Sequence, residues 1–364
     1  MTNILKMAES YLPTPPSEPE PDVALESASQ PHPSVPLIPA KEATIYLHTP
    51  FHPKAEEYAV ERFKEVLRPS DLGGDVGQLM GRADGILLRV GHITRDMLLA
   101  APKLKIISRN GTGIDNMHLP TVKEKGVVVT NCPGGNARAV AELALALMLA
   151  VLRRVVEIDN RIRSGEKVPS ITALAPGLFG STVGLVGMGD TAYELARLLL
   201  AFGCRILVYS PTSPSNRWLV ESPRYPVVIP HERVNSLDDL LNQVDVLSLH
   251  CPLNDQTRRM ISTDQLIKMK DTAVLINTAR GGVVDERALE QALESGQLGG
   301  AGIDVWDVEP AYGETMGKLG KLRNTVVLPH LGGSTDGATL EGCMRAIDIM
   351  ADYLDGKGAR NRVV

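Results

Sequence analysis

A chain of 364 residues with 43 % hydrophobic and 22 % charged positions has room for two globular domains. A net charge of −5 leaves no broad basic face for nucleic acid, and the longest apolar run, Leu143 to Leu152, is too short to span a bilayer. The four cysteines, Cys132, Cys204, Cys251 and Cys343, are too scattered for a disulfide frame or a zinc site and read as reduced thiols in a cytoplasmic protein.

Residues 1–41 are a different material. Nine of the 25 prolines fall there among Ser and Glu, with no arginine, so neither a transit peptide nor a secretory signal is expected. The composition predicts a disordered tail. From about Glu42 strands and helices alternate. ATIYLH (43–48) reads as a strand and 54–67 as a helix with Ala59, Phe63 and Leu67 on one face. GILLRV (85–90) is a strand carrying Arg89, a substrate-side candidate, followed by a short helix near 94–100. LKIISR (104–109) is a strand running into Asn110-Gly111-Thr112-Gly113, a helix near 117–125 stops at Gly126, and VVVTN (127–131) is the next strand. Short continuous apolar strands between helices predict a parallel sheet buried on both faces. A long helix, 136–154, follows with Asn136 as its expected N-cap.

A second α/β unit starts at Thr182, with strands expected at 182–187, 205–209, 244–249, 272–277, 299–304 and 325–328. Helices are expected at 263–269 and at 285–295, the latter capped by Asp285, and a final helix, 334–354, is long enough to reach back to the first unit. The stretch TVGLVGMGDTAYELARLLLAFG (182–203) joins an apolar strand, a glycine pair and an amphipathic helix, the setting in which G-x-G-x-x-G/A signals dinucleotide binding. Gly187 allows the tight turn, Gly189 lets backbone approach a pyrophosphate at the helix N-terminus, and Ala192 is small enough for close packing. Gly187, Met188, Gly189, Asp190 and Thr191 form the expected cradle. The glycine loop alone is weak evidence, since many tight strand–helix turns bind nothing.

Three polar residues follow strands of this second unit. Arg280 lies in LINTARGGVVD (275–285), where a guanidinium can pair bidentately with a carboxylate. Glu309 ends GIDVWDVEP (302–310) and His330 follows VVLP. Each alone reads as an ordinary surface or loop residue. Together they make a carboxylate–imidazole–guanidinium set. His250 is read as structural or supporting rather than catalytic, and Trp306 with 311–321 as a surface loop rather than a pocket wall.

The motifs NGTGIDNMHL (110–119), VVVTNCPGGNARAVAE (127–142), VGLVGMGDTA (183–192), LHCPLNDQTRRMI (249–261), INTARGGVVD (276–285), GAGIDVWDVEP (300–310) and LPHLGGST (328–335) stand in order over most of the chain. From about residue 43 to 360 it resembles the D-isomer-specific 2-hydroxyacid dehydrogenases, the group of phosphoglycerate, D-lactate and glyoxylate/hydroxypyruvate reductases. The resemblance implies two Rossmann-like or flavodoxin-like parallel-sheet domains facing an interdomain cleft: residues 42–138 plus 334–364 for substrate, and 139–333 for the dinucleotide. It implies Arg280 for substrate binding and carbonyl polarisation, His330 as acid/base and Glu309 as its partner. Backbone amides near Thr112 and Gly113 would hold the substrate carboxylate. Asp304 would contact the nicotinamide carboxamide, with Cys251, Pro252, Thr257, Thr278, Ala279 and Gly332 lining the cofactor. A homodimer is implied as well. No metal is called for. The expected reaction is reversible hydride transfer between NAD(P)H and the C2 carbonyl of a small 2-oxo acid. A nucleotide-sensing corepressor of the same family is the alternative.

The second strand of the nucleotide unit ends at Ser210 rather than at an acid that would bond ribose hydroxyls and repel a 2′-phosphate. With Arg217 nearby, either NAD(H) or NADP(H) is accommodated, with a slight preference expected for NADP(H). Asp190 is the odd residue of the loop, because an acid there gains from the helix end but repels phosphate.

Overall fold

The computed structural model describes residues 37–364. The expected disordered tail therefore lies outside the described residues up to position 36, and its last residues are ordered. Ala40–Glu42 form a 3-10 turn, and the Ala40 amide donates to Asp355 Oδ1 at 2.9 Å.

The first sheet consists of β1 (Thr44–Leu47), β2 (Glu65–Leu67), β3 (Gly85–Leu88), β4 (Ile106–Arg109) and β5 (Val128–Thr130), in the order β2-β1-β3-β4-β5. Every pairing is parallel. β3 and most of β1 and β4 are buried, as expected for strands covered by helices on both faces. The last helix, Asp336–Leu354, buries Cys343, Ala346, Ile347 and Met350 in the core of this sheet. Ser108 in β4 ties it down by donating to the Ala346 carbonyl at 2.8 Å.

The second sheet has seven parallel strands: β6 (Thr182–Val186), β7 (Arg205–Tyr209), β8 (Glu232–Arg233), β9 (Val246–Leu249), β10 (Val274–Asn277), β11 (Gly300–Ile303) and β12 (Thr325–Val327). Their order is β12-β11-β10-β9-β6-β7-β8. The chain runs outward from β6 through β7 to β8, then crosses back to β9 on the other side of β6. Open α/β sheets bind ligands at such a reversal, beyond the strand carboxyl ends. That point lies between Gly187 and His250. The long helix Ala137–Leu152 covers one face of this sheet with Ala141, Ala144, Leu147, Met148 and Val151. Gly302 in β11 admits it closely, since a Cβ there would stand 2.9 Å from Leu147 Cβ. Each such leucine or valine contributes about 1.5–3 kcal/mol on burial.

The fold corrects several element expectations. The helix read as 54–67 stops at Arg62, and Glu65–Leu67 form edge strand β2. Phe63 is buried in extended conformation, which breaks the helical stripe into a strand. Asn136 occupies the N-cap position but makes no side-chain cap bond, whereas Asp285 accepts from the Arg287 and Ala288 amides, both at 3.1 Å. The long helix breaks at Arg154, which adopts φ 54°, and a further helix, Val155–Arg163, follows. Short helices at Val76–Arg82 and Leu237–Leu241 and the two-residue strand β8 carry no sequence period long enough to read. All four cysteines are free.

Candidate active site

The site grows from the ends of β10, β11 and β12. After β10 the Asn277 side chain accepts from the Ala279 amide at 3.1 Å and donates to the Arg280 carbonyl at 2.9 Å, folding a turn that presents Arg280. Gly281 carries no Cβ because one would run into the Trp306 carbonyl and the Asp307 amide. The turn after β11 can therefore lie directly on the turn after β10. Trp306, read as an incidental loop residue, is instead buried; its indole donates to the Leu328 carbonyl at 2.8 Å and its amide to Glu309 Oε1 at 3.1 Å. Glu309 is thereby aimed.

The other oxygen of Glu309 stands 2.7 Å from His330 Nδ1. Burial pushes the Glu309 carboxyl up, but the hydrogen bond and charge of His330 outweigh it and hold it below the usual range, with Arg280 adding to the effect. His330 takes a left-handed φ of 64°, and its amide donates to the Asp304 carbonyl at 2.7 Å. Such a conformation in a non-glycine residue persists only where surroundings fix it. Asp304 supplies that restraint: its carboxylate is buried and accepts from the amides of Leu331 at 2.6 Å and Gly332 at 2.8 Å.

Arg280 reaches across to the first sheet. Its Nε lies 3.1 Å from Asp115 Oδ2, its Nη2 3.4 Å from Asp115 Oδ1, and its Nη1 donates to the Ala279 carbonyl at 2.7 Å. Asp115 follows the Asn110–Gly113 turn beyond β4. Burial raises the Asp115 carboxyl, yet Arg280 more than compensates and the net direction is down. Arg109, at the end of β4, is drawn down to about 10 by burial and by Arg280's charge, and remains a cation at neutral pH. It donates to Asn116 Oδ1 at 2.5 Å. Asp115 and Arg109 were missed in the sequence because neither stands out from its motif until the two sheets come together. Asn131 Nδ2 donates to the Thr112 carbonyl at 2.7 Å and holds the Thr112–Gly113 turn. Arg89 is half-buried, with Nε on the Pro50 carbonyl at 3.1 Å.

The glycine loop lies at the β6–β9 reversal. Gly187 adopts φ +105°, and a Cβ on it would stand 2.6 Å from the His250 carbonyl. A Cβ on Gly189 would meet nothing within 4 Å, so the loop offers open backbone of the kind a pyrophosphate needs. Thr278 Oγ1 is a buried hydroxyl without a partner. Both features fit a bound dinucleotide. Thr257 turns its hydroxyl onto the Pro252 carbonyl at 2.6 Å, which braces the turn after β9. Cys251 and Pro252 stand in that turn, and burial raises the Cys251 thiol to about 11. Burial lowers His250 to about 4, and its Nε2 lies 2.9 Å from Ser248 Oγ.

Beyond β7, Ser210 pairs with Ser213 at 2.8 Å through their hydroxyls, while Arg233 donates to the carbonyls of Ser210, Ser213 and Pro214. Arg217 folds over the glycine loop and donates to the Met188 carbonyl at 3.1 Å. Asp190 is not directed at open solvent; it is paired with Arg224. Among the described residues no helix is long and apolar enough to cross a membrane.

Residues 145–332 match the family model described as D-isomer specific 2-hydroxyacid dehydrogenase, NAD binding domain. The chain is 41 % identical over 243 residues to the hydroxypyruvate reductase of Thermotoga maritima, covering 67 % of this chain and 75 % of that protein. It is 39 % identical over 285 residues to the glyoxylate reductase of Thermococcus litoralis, covering 76 % and 82 % respectively. Among solved structures, the NADPH-dependent glyoxylate/hydroxypyruvate reductase of Sinorhizobium meliloti in complex with citrate superposes with a TM-score of 0.75 at 27 % identity, over 89 % of this chain and 98 % of that one.

Proposed function

The chain belongs to the D-isomer specific 2-hydroxyacid dehydrogenase family, and on that premise we propose that it reduces small 2-oxo acids of the glyoxylate and hydroxypyruvate class with NADPH as the favoured donor. It is an NAD(P)-dependent oxidoreductase. The observation that carries the reductase reading is the 2.7 Å pair of His330 and Glu309, with the charge of Arg280 acting on the same carboxylate.

Hydride is supplied to C2 by the reduced nicotinamide when bound. The residues do the rest. Glu309 occupies Nδ1 of His330, so Nε2 is the nitrogen left to hold a proton for the C2 oxygen. General-acid transfer of this kind contributes about 10²–10⁴-fold. The fixed charge of Arg280 stands where negative charge develops on that oxygen and beside the substrate carboxylate, which the amides of Thr112 and Gly113 also receive. In the oxidative direction the same imidazole, deprotonated, takes the hydroxyl proton. Residues 42–138 with 334–364 are assigned to substrate and 139–333 to the dinucleotide.

Preference for NADPH is supported by Ser210, which brings no negative charge, by Arg233, which donates to the Ser210 carbonyl, and by Arg217 at the glycine loop. The named dependence of the Sinorhizobium reductase agrees. A homodimer is supported by exposed Ile171, Leu174 and Phe179, at 72, 72 and 81 %, in the segment after the long helix. Four unpaired cysteines suit the reducing cytoplasm.

The test is steady-state reduction of glyoxylate, hydroxypyruvate and branched 2-oxo acids with both donors. Turnover of the two small acids and a higher kcat/KM with NADPH are expected. Nucleotide binding without turnover of any acid refutes the reductase reading, and a tenfold preference for NADH refutes the donor assignment.

A further inference from the structure

Asp190 is the first residue of the helix Asp190–Leu200 and directly follows Gly189, the glycine that leaves backbone open to a pyrophosphate. A bare carboxylate there gains from the helix dipole but repels a diphosphate. The structure does not leave it bare. Arg224 Nε meets Asp190 Oδ1 at 2.7 Å and Nη2 meets Oδ2 at 2.8 Å, a side-on bidentate pair. Asp190 also lies close to Gly134, where a Cβ would stand 3.2 Å from its Oδ2. The guanidinium holds the carboxylate near the turn before the long helix.

Arg224 is not a loose surface cation. It lies in the segment between β7 and β8, where Ser222 and Tyr225 exchange backbone hydrogen bonds at 3.0 Å each. Its guanidinium carbon lies 5.7 Å from the centre of the Tyr225 ring, and that of Arg217 lies 5.8 Å from the same ring. Tyr225 is buried and packs at 4.9 Å on Tyr193, which belongs to the helix that Asp190 begins. The Tyr193 hydroxyl in turn bonds the Val227 carbonyl at 2.9 Å. The helix therefore positions the arginine that neutralises its own first residue. An isolated surface ion pair is worth about 0–1 kcal/mol and needs no such support. The side-on pairing uses two of five N–H groups, and the side chain is 64 % exposed, so the remaining edge is free for an anion.

We propose that Arg224, pinned by Asp190, is a cofactor-binding residue that supplies the positive charge facing the pyrophosphate of the dinucleotide. This rests on the NAD(P)-dependent reading above. Asp190 acts through Arg224 and is a positioning residue.

The test is equilibrium binding to the enzyme without substrate, read from nicotinamide fluorescence with NADPH and NADH and from calorimetry with ADP-ribose and 2′-AMP. Arg224→Gln is expected to weaken NADPH, NADH and ADP-ribose together, by about ten- to hundredfold, and to leave 2′-AMP within twofold. Asp190→Asn on top of Arg224→Gln removes the uncompensated carboxylate but leaves the cation missing, so only part of the lost affinity is expected to return; full recovery would show that Arg224 merely neutralises Asp190 and overturns the proposal. Arg224→Lys, which keeps the charge, guards against misfolding and is expected to retain more affinity than Gln. Unchanged affinity in Arg224→Gln overturns the proposal. A loss confined to NADPH and 2′-AMP also overturns it, because the arginine then serves the 2′-phosphate. If the unmodified enzyme binds neither NADPH nor NADH, the parent reading fails instead.

Discussion

Gly113→Ala is the smallest change that separates the candidate site from the fold. Gly113 does not have a positive φ, so alanine fits its backbone. The added Cβ would overlap Arg280 Nη2 outright, and would stand 2.6 Å from Asp115 Oδ1 and 3.1 Å from Arg280 Cζ. Ordinary carbon contacts begin at about 3.5 Å, so the guanidinium must retreat by roughly 1.5 Å and the carboxylate by roughly 1 Å. Both are ends of flexible chains, and the Arg280–Asp115 pair is partly exposed at 27 and 43 %. Losing it therefore costs about 1 kcal/mol of stability or less. Misplacing a group that orients substrate by about 1 Å costs about 10²-fold in rate. The expectation is a kcat/KM for glyoxylate or hydroxypyruvate reduced about a hundredfold, with the Tm lowered by only a few degrees and the NADPH Kd unchanged. A variant that keeps kcat/KM within threefold would show that Arg280 need not sit where the structure puts it, and the reasoning fails.

His330→Ala should lower kcat by about 10²–10⁴ while leaving nucleotide affinity nearly intact; parallel loss of NADPH binding in a fluorescence titration counts against it. Arg280→Lys should raise the substrate KM, because an ammonium cannot make both the link to Asp115 and a forked bond to a carboxylate; unchanged KM refutes this. Asp115→Asn should lower kcat by about tenfold without raising KM, since the variant loosens Arg280 but removes a carboxylate that competes for it. The sign of its pH effect also follows. Asp115 has a depressed folded value, so its stabilising contribution is present above the unfolded carboxylate range, near about 4, and is lost as pH falls through the lower folded value. The Tm gap between wild type and Asp115→Asn should therefore be small but measurable at neutral pH and close in strong acid. A gap that widens on acidification contradicts the assignment.

Local patterns made the second sheet legible, and contacts between distant segments hid the rest. The glycine pair and its strand announce themselves because one turn needs both φ > 0 at Gly187 and open backbone at Gly189 within three residues. Arg280, Glu309 and His330 were legible from their motifs, although their convergence depends on features no motif displays: Gly281 making room for the Trp306 backbone, and Asp304 bracing the amides after His330. The helix read through Phe63 to Leu67 failed for a similar reason. A stripe of Ala59, Phe63 and Leu67 satisfies a helical period, but Thr44 and Ile45 offer unpaired backbone beside Glu65 and Val66, and parallel pairing wins. Asp190 is the sharpest case. Read along the chain it is an acid in the wrong place; only the fold brings Arg224, 34 residues later, onto it. A residue's charge in a binding loop is thus a property of the pair the fold assembles. Paired with Arg224, the Asp190 carboxylate no longer presents a bare negative charge beside the glycine turn.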